Sequence, residues 1–346
     1  MLSQNLIDRL ATELRIAPRQ ATASLALFDE GATVPFVARY RKEMTGGLDD
    51  LQLRQLQERA EYLGELEDRR ATILASIHEQ GKLDDALRAR IDAAPTKQAL
   101  EDLYLPFKPK RRTRATIARE RGLEPLADLI WNGASDADVR AAAAGFIDTD
   151  REVMNADDAL RGARDILAER VAEDAEIRAW VRERTRASGQ VVSRAKPGID
   201  PTSSKFADYF EFSQKLVDIP SHRVLAIRRG EDEEHLSWSI DAPVDEIVSG
   251  LERRITRNRA APGQLEQVAQ DAYKRLLAPS IEVELRLELK QKADEDAITI
   301  FGTNLEQLLL GAPAGGKVVL GLDPGFRTGV KAAVVSRTGA LLDTAT

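Results

Sequence analysis

The sequence predicts a mainly α-helical protein, and three observations indicate this fold class. Leu, Ala, Arg and Glu dominate the composition, and these residues are good helix formers. Over most of the chain, apolar residues recur at the spacing of one helix face. Runs rich in β-branched and aromatic residues are confined to residues 191–242 and to the last thirty residues. We therefore expect a helical framework that carries two small β-containing parts.

Residues 1–190 are predicted to form a helical N-terminal region. Its first helix follows Ser3 and stops before Pro18, and a second helix covers residues 21–28. A short third helix starts at Pro35, and we expect it to bury Phe36, Val37 and Tyr40. Three helices joined by tight turns, the third short and basic, are compatible with a helix-turn-helix element. An ordinary helical bundle is the alternative, because short helical hairpins are common in bundles.

A long helix is predicted from Asp49 to Gln80. Its apolar residues fall on one helix face, which predicts a buried stripe. They are Leu53, Leu56, Ala60, Leu63 and Leu66. Residues 133–190 are again predicted to be helical.

Residues 191–242 are predicted to form a small β-containing segment. Three stretches have strand-like composition, at residues 209–212, 223–228 and 235–240. Gly230-Glu231-Asp232 between the last two is typical of a turn. We therefore expect a β-hairpin inserted between helical regions.

Residues 243–312 are predicted to be helical, with a long central helix over residues 280–310. Apolar residues in this helix recur at a spacing of nearly four. They are Ile281, Leu285, Leu289, Ala293, Ala297, Phe301, Leu305 and Leu308. The pattern predicts one helix of about 45 Å with a single apolar face, on which flanking parts pack.

Residues 317–346 are predicted to form strands. A β-rich run ends at the turn signal Asp323-Pro324-Gly325, a second strand covers residues 330–336, and a third starts at Leu341. Two or three strands without a covering helix cannot bury both faces of a sheet. We therefore expect this segment to be the incomplete start of a domain, and the chain to be the front part of a longer protein.

Composition and charge exclude several classes of protein. The net charge of −7 argues against coating nucleic acid with the whole surface, although it permits local basic patches. Cys is absent, which excludes disulfides and thiolate metal sites, and the three His residues lie far apart in the sequence. We expect no cofactor. The chain shows neither a signal peptide nor an apolar run of membrane-spanning length, so we expect a cytoplasmic protein without a membrane partner.

The strongest candidate binding segment is basic and lies between residues 105 and 114. Its cations are Lys108, Lys110, Arg111, Arg112 and Arg114. Pro106 and Pro109 favour an extended backbone, so the cationic side chains should splay from a loop. Guanidinium groups fork onto phosphates and stack on bases. A smaller cluster, formed by Arg39, Arg41 and Lys42, could extend this track. The alternative is a solvated loop that pairs with acidic residues of its own chain.

Asp323 is the one candidate for metal chemistry. A carboxylate at the end of the first strand of a sheet can hold Mg²⁺ for phosphodiester hydrolysis. Such chemistry needs two or more further carboxylates beside the metal. Nothing in the sequence predicts that Asp343, for example, lies close to Asp323. The alternative is that Asp323 caps a tight turn, as Asp-Pro-Gly commonly does. We therefore expect no catalytic residue, no metal and no enzymatic activity in this chain.

Three segments together resemble the Tex family of bacterial transcription accessory proteins. They are GATVPFVARYRKEMTGG at residues 31–47, DLYLPFKPKRRTRA at residues 102–115 and GLDPGFRTGVK at residues 321–331. The resemblance implies an elongated, mainly helical N-terminal half with a helix-turn-helix-like element and a long central helix. It implies that a YqgF-type, RNase H-like α/β domain starts at about Lys317, of which this chain holds a truncated part. Helix-hairpin-helix elements and a C-terminal OB-fold RNA-binding domain come further along in the family.

The resemblance also implies a function. The family binds nucleic acid and acts in transcription, and it is not an established nuclease. We therefore expect an N-terminal scaffold that binds RNA, or single- or double-stranded DNA, mainly through phosphates, with transcription machinery as a further partner and no small-molecule substrate. One alternative is a protein-interaction scaffold that docks to transcription machinery. Another alternative is a metal-dependent nuclease that is inactive as this fragment. It is suggested because Asp323 matches the first-strand Asp of RuvC-like nucleases.

Overall fold

The computed structural model describes residues 3–109, 111–199, 204–256, 261–312, 315–325 and 329–346. Helices dominate these ranges, which confirms the predicted fold class. The chain divides into two compact units. The first unit contains residues 1–191, 215–217 and 239–285, and the second contains residues 192–214, 218–238 and 286–346. The four predicted regional boundaries stay predictions.

The helices and strands have the following bounds. The helices are α1 (Gln4–Leu14), α2 (Pro18–Asp29), α3 (Val34–Tyr40), α4 (Asp50–Glu79), α5 (Asp85–Asp92), α6 (Lys97–Tyr104), α7 (Arg114–Glu120), α8 (Glu124–Trp131), α9 (Asp136–Ala143), α10 (Ala156–Ala172), α11 (Ala175–Ser188), α12 (Ser221–Asp232), α13 (Val244–Thr256), α14 (Pro262–Asp271) and α15 (Ala278–Leu309). The strands are β1 (Gln190–Ala195), β2 (Glu211–Lys215), β3 (Leu236–Asp241), β4 (Val319–Gly325), β5 (Gly329–Val335) and β6 (Leu341–Ala345). One sheet has the strand order β2–β1–β3 and the other has the order β4–β5–β6.

The N-terminal core is organised by α4. This helix starts where predicted, because the side chain of Asp49 accepts a 2.8 Å hydrogen bond from the Gln52 backbone N–H and caps the helix. All five residues of the predicted apolar stripe are buried, which confirms that prediction. The stripe continues through Ile73 and Ile77, which are fully buried. Helices α1, α2, α3, α5 and α6 all pack on α4.

Helix α3 forms where predicted, but two of its three predicted core residues are exposed. Val34 and Val37 point into the core, whereas Phe36 is 41% exposed and Tyr40 is 61% exposed. The prediction was wrong because a helix of seven residues buries only one narrow face. Val34 and Val37 are three residues apart and occupy that face, while Phe36 and Tyr40 are four apart and occupy another. The helix-turn-helix assignment stays a prediction.

The predicted β-hairpin in the segment 191–242 was wrong in its middle part. Strands β2 and β3 lie close to the predicted positions, but residues 221–232 form the helix α12. Val224, Ile227 and Gly230 are buried at a spacing of three, which is helical and not strand-like. Gly230 lies within this helix and does not form a turn. The Leu236 side chain packs against the place that a Cβ would occupy, so a glycine gives it room there.

The predicted long central helix is confirmed as α15, which has 32 residues and a length of about 48 Å. The first part of its apolar stripe is buried at Ile281, Leu285 and Ala293. The second part is exposed, with Phe301 at 68% and Leu308 at 79%. In the described ranges, no helix combines the length and the hydropathy that a membrane span requires.

The strands near residue 320 form an antiparallel sheet, and the predicted third strand is present as β6. Every residue of β4 and β6 is exposed. Asp323 of β4 is paired in register with Lys331 of β5.

An ion pair between α1 and α4 gives the N-terminal core a pH dependence. Nε of Arg59 donates a 2.6 Å hydrogen bond to Glu13, and Nε of Arg9 donates a second at 2.8 Å. The Arg59 hydrogen bond, aided by Arg9, lowers the pKa of Glu13 from 4.5 to about 2. A carboxyl group whose pKa is lowered by folding stabilises the folded state above its unfolded pKa, and this contribution is lost as the pH falls towards its folded pKa.

We therefore predict that Glu13→Gln destabilises the protein at pH 7 and that its difference from wild type shrinks between pH 4.5 and 2. Thermal unfolding midpoints at several pH values would measure this difference. Glu58→Gln, at an exposed glutamate of α4 that forms no ion pair with any described residue, serves as the control. A wild-type-to-Glu13→Gln difference that stays constant down to pH 2 would contradict the prediction.

Candidate nucleic-acid interface

The basic segment between α6 and α7 is more structured than the sequence suggested. Residues 105–107 form a 3₁₀ turn, so Pro106 lies in a helical turn, and the predicted extended backbone begins only at Lys108. Arg114 is the first residue of α7 and does not belong to a loop. Lys110 lies outside the described residues. The Thr113 side chain accepts a 3.0 Å hydrogen bond from the Thr116 backbone N–H and so caps α7.

Both ends of this segment are anchored to longer helices. At the start, the Gln80 side chain at the end of α4 donates a 3.0 Å hydrogen bond to the Phe107 carbonyl. At the end, the Thr113 hydroxyl donates a 2.9 Å hydrogen bond to Glu169 of α10, and Arg119 donates to the same carboxylate at 2.8 Å. Glu169 is only 7% exposed. The segment is therefore held between α4 and α10.

Two of the predicted cations are engaged with acidic residues of the chain itself. Nζ of Lys108 lies 2.6 Å from Glu101, which also accepts a 2.6 Å hydrogen bond from Arg69. Partial burial alone would raise the pKa of Glu101, but the hydrogen bonds from these two cations outweigh burial and lower it. Arg112 pairs with Glu120 at 2.8 Å, and both side chains are more than half exposed.

Arg111 and Arg114 remain available to an external anion. Both are exposed, and neither forms an ion pair with any described residue. Arg114 does act at longer range on Asp165, where burial raises the pKa and Arg114 is among the cations that oppose this. Part of the segment therefore pairs internally, and part presents guanidinium groups without an ion-pair partner among the described residues. Nucleic-acid contact by the segment stays a prediction.

A cleft of about 570 Å³ opens beside the segment. Its charged lining residues are Lys82, Arg90, Asp102, Arg119, Glu124, Arg170, Glu173 and Asp174. Four cations face four carboxylates, so the cleft does not select for an anion by charge.

A buried charge cluster involves α6, the helix that leads into the segment. The sequence did not predict this cluster. Asp102 of α6 accepts a 2.9 Å hydrogen bond from Nε of Arg178 and another 2.9 Å bond from Arg182, both on α11. Glu284 of α15 pairs with the same two arginines, at 2.8 Å for Arg182. The side chains of Asp102, Arg178 and Arg182 are each less than 10% exposed. The only sequence signal was the four-residue spacing of the two arginines on one helix face.

The second predicted cluster lies on α3 and on the turn that follows it. Arg39 belongs to α3, and Arg41 and Lys42 belong to the turn that follows. All three are exposed. No hydrogen bond or ion pair between described residues joins this cluster to the basic segment. That the two clusters form one continuous track stays a prediction.

The described residues contain no group of three or more His, Cys, Asp or Glu side chains placed to hold a metal ion. Asp323 lies exposed on β4, beside Lys331 across the strand pair. A cation neighbour of this kind does not favour Mg²⁺. That Asp323 binds no metal stays a prediction.

Three family models match the chain. The "Tex-like protein N-terminal domain" matches residues 4–78, the "Tex central region-like" model matches residues 134–301, and the "Tex protein YqgF-like domain" matches residues 317–346. The basic segment lies between the first two matches.

Curated relatives align with almost the whole chain. "Transcriptional accessory protein Tex" of Neisseria gonorrhoeae is 47% identical over 98% of this chain, and "Protein tex" of Bordetella pertussis is 45% identical over 99% of it. The chain covers 45% of each of these relatives, so it spans less than half of their length. The human "S1 RNA-binding domain-containing protein 1" is 28% identical over 99% of this chain and is covered to 36%.

The buried cluster leads to a stability prediction. Asp102→Asn removes the buried negative charge and leaves Arg178 and Arg182 with Glu284 alone. Breaking a buried ion pair on one side typically costs about 3–5 kcal/mol. We expect a loss of that order in the free energy of unfolding, measured by urea titration with far-ultraviolet circular dichroism.

The matched control is Asp128→Asn. Asp128 pairs with Arg170 at 2.8 Å, but the two side chains are 48% and 34% exposed. An exposed pair contributes at most about 1 kcal/mol. Equal losses in the two variants would contradict a special role for the buried cluster.

Proposed function

Because this chain belongs to the Tex family, we propose that it is the N-terminal scaffold of a nucleic-acid-binding transcription accessory protein. In this proposal it binds RNA or DNA mainly through backbone phosphates, and it acts in the cytoplasm, where bacterial transcription takes place. The names of the relatives support a role in transcription and in nucleic-acid binding. One is called a transcriptional accessory protein, and another is named for an S1 RNA-binding domain. Those names describe proteins of which this chain covers less than half.

The observation that carries the proposal is the pair of exposed arginines on an anchored segment. Arg111 and Arg114 lie within four residues of each other, and the segment is fixed at Phe107 and at Thr113. Fixing the backbone in advance lowers the ordering cost of binding. Guanidinium groups bind phosphate oxygens with paired N–H donors, and each such contact releases counterions.

Arg112 and Lys108, the two cations of the segment that form ion pairs, could bind phosphate only by exchanging their carboxylate partners. The ion pair of Arg112 with Glu120 is exposed, and pairs of this kind are worth about 0–1 kcal/mol, so a phosphate can replace Glu120 at little cost. Lys108 is less available, because Glu101 is shared with Arg69 and lies partly buried. We therefore rank Arg112 above Lys108 as a further phosphate ligand.

A protein-interaction scaffold is the second candidate function. The observation in its favour is the exposed apolar surface near the end of α15. Its residues include Ile298, Ile300, Phe301, Leu308 and Leu309, which are between 62% and 79% exposed. Exposed apolar patches of this kind often mark protein interfaces. In this alternative the helices dock to transcription machinery, and other domains bind nucleic acid.

We predict that replacing Arg111 and Arg114 together by Ala lowers affinity for unrelated RNA and DNA sequences by a similar factor. Because two phosphate contacts are lost, the slope of log affinity against log salt concentration should flatten by about 1.8 for duplex DNA. Fluorescence anisotropy with labelled oligonucleotides at several salt concentrations would measure both effects.

The control replaces Arg88 and Arg140 by Ala, which changes the net charge equally. Both residues are exposed and form no ion pair with any described residue. If both double variants keep the wild-type affinity and slope, the basic segment plays no part in binding. If wild type itself shows no salt-sensitive binding, the protein-interaction scaffold becomes the better proposal.

We further propose a binding role without catalysis, and this too can be tested. With Mg²⁺ present, the chain should leave labelled RNA and DNA intact, because Asp323 has no converging carboxylates among the described residues. Denaturing gel electrophoresis of the oligonucleotides would show any cleavage. Magnesium-dependent cleavage that disappears in Asp323→Asn would assign nuclease activity to the chain.

A further inference from the structure

Helix α3 and the turn after it expose an aromatic surface that phosphate binding does not use. Phe36, Tyr40 and Met44 are 41%, 61% and 57% exposed. The ring centroids of Phe36 and Tyr40 lie 5.4 Å apart, with the ring planes tilted by 47°. Burial of Val34 and Val37 explains the stability of the helix, but it leaves these three large apolar side chains in water. Exposed apolar side chains in one cluster are typical of a binding surface.

Residues 36–44, which include these three apolar side chains, also carry a net positive charge. Arg39, Arg41 and Lys42 are exposed, form no ion pair with any described residue, and have Glu43 as the single carboxylate beside them in the segment. The guanidinium carbon of Arg41 lies 5.2 Å from the centre of the Phe36 ring. Cations placed among aromatic rings are suited to a polyanion that also has flat aromatic groups. Nucleic acid has both properties.

The turn that holds this surface is rigidly built. Thr45 is fully buried, and its hydroxyl donates a 3.2 Å hydrogen bond to the Lys42 carbonyl. The Gln20 side chain donates a 2.9 Å hydrogen bond to the Gly46 carbonyl. Gly46 and Gly47 have φ angles of +64° and +85°, which disfavour other residues. The backbone that carries the aromatic rings and the cations is therefore held by these contacts.

We propose that Phe36 and Tyr40 form a base-stacking platform for single-stranded nucleic acid, with Arg39, Arg41 and Lys42 holding the adjacent phosphates. The proposal rests on the proposed function and specifies which strands this patch accepts. Bases of a duplex are already stacked and paired, so their faces are closed to side chains, whereas unpaired bases can lie on an aromatic ring. A protein partner is the competing occupant, and the net charge of the patch favours the polyanion.

The test compares single-stranded and duplex oligonucleotides of the same sequence. Stacking of one base is worth about 1–3 kcal/mol, so Tyr40→Ala should weaken binding of an unstructured single strand by about 5-fold or more. Duplex affinity and the salt slope should stay near wild type, because no cation is removed. Tyr40→Trp, which keeps a stacking surface, should restore single-strand binding. Anisotropy would give the affinities, and the quenching of 2-aminopurine placed in the strand would report stacking.

The matched control is Phe301→Ala, at an aromatic residue of α15 that is 68% exposed. Its single-strand affinity should equal that of wild type. Because Tyr40 is also mostly exposed, its removal should leave the thermal unfolding midpoint unchanged, so a loss of binding would not reflect unfolding.

The outcomes separate this proposal from the proposed function. Equal weakening of single-strand and duplex binding in Tyr40→Ala would overturn the platform, and so would unchanged single-strand binding. Both results would be compatible with nucleic-acid binding through Arg111 and Arg114. Unchanged nucleic-acid binding combined with loss of a protein partner would overturn the platform in favour of protein docking. Absence of any nucleic-acid binding in wild type would overturn both proposals.

Discussion

Burying an unpaired carboxylate among packed helices costs free energy, so it needs a cationic partner. Asp102 forms ion pairs with two arginines of α11, Arg178 and Arg182. Glu284 of α15 completes the cluster, so three helices that are far apart in the sequence are joined through one set of charges. Such a cluster is sensitive to loss of any member, because each remaining charge would stay buried without its partner. Packing of apolar side chains alone would allow the helices to shift in register. Directed hydrogen bonds at 2.8–2.9 Å allow much less movement.

The basic segment begins soon after a member of this cluster. Asp102 lies six residues before Lys108, on the helix that leads into the segment. The hydrogen bonds of Gln80 and Thr113 then fix the segment at its two ends. A chain with a net charge of −7 pairs many of its cations internally, as the contacts of Lys108 and Arg112 show. The cations that remain exposed therefore matter more for an external partner than the total number of basic residues.

The two basic patches differ in chemistry. The segment with Arg111 and Arg114 presents charge on an anchored backbone, whereas the patch with Arg39 and Arg41 presents charge beside exposed rings. If both proposals hold, a phosphate backbone of a single strand or a duplex can bind the first patch, and unpaired bases are needed to fill the second. We would then expect a preference for nucleic acid that contains both paired and unpaired regions.

The sequence by itself determined the helical class, the long helices and the core of the N-terminal bundle. Helix α4 was predicted with its cap and its apolar stripe because these signals are local and repeat over thirty residues. Short elements were less predictable. Residues 223–228 have strand-like composition but fold as helix, and α3 turns Phe36 and Tyr40 outward, because neighbouring helices decide which face of a short element is buried. Pairing of charges was decided only by the tertiary structure. Asp102 and Arg178 are separated by 76 positions, and no local sequence pattern predicts that they form a pair. They must pair in the folded core because a buried charge without a partner is strongly destabilising.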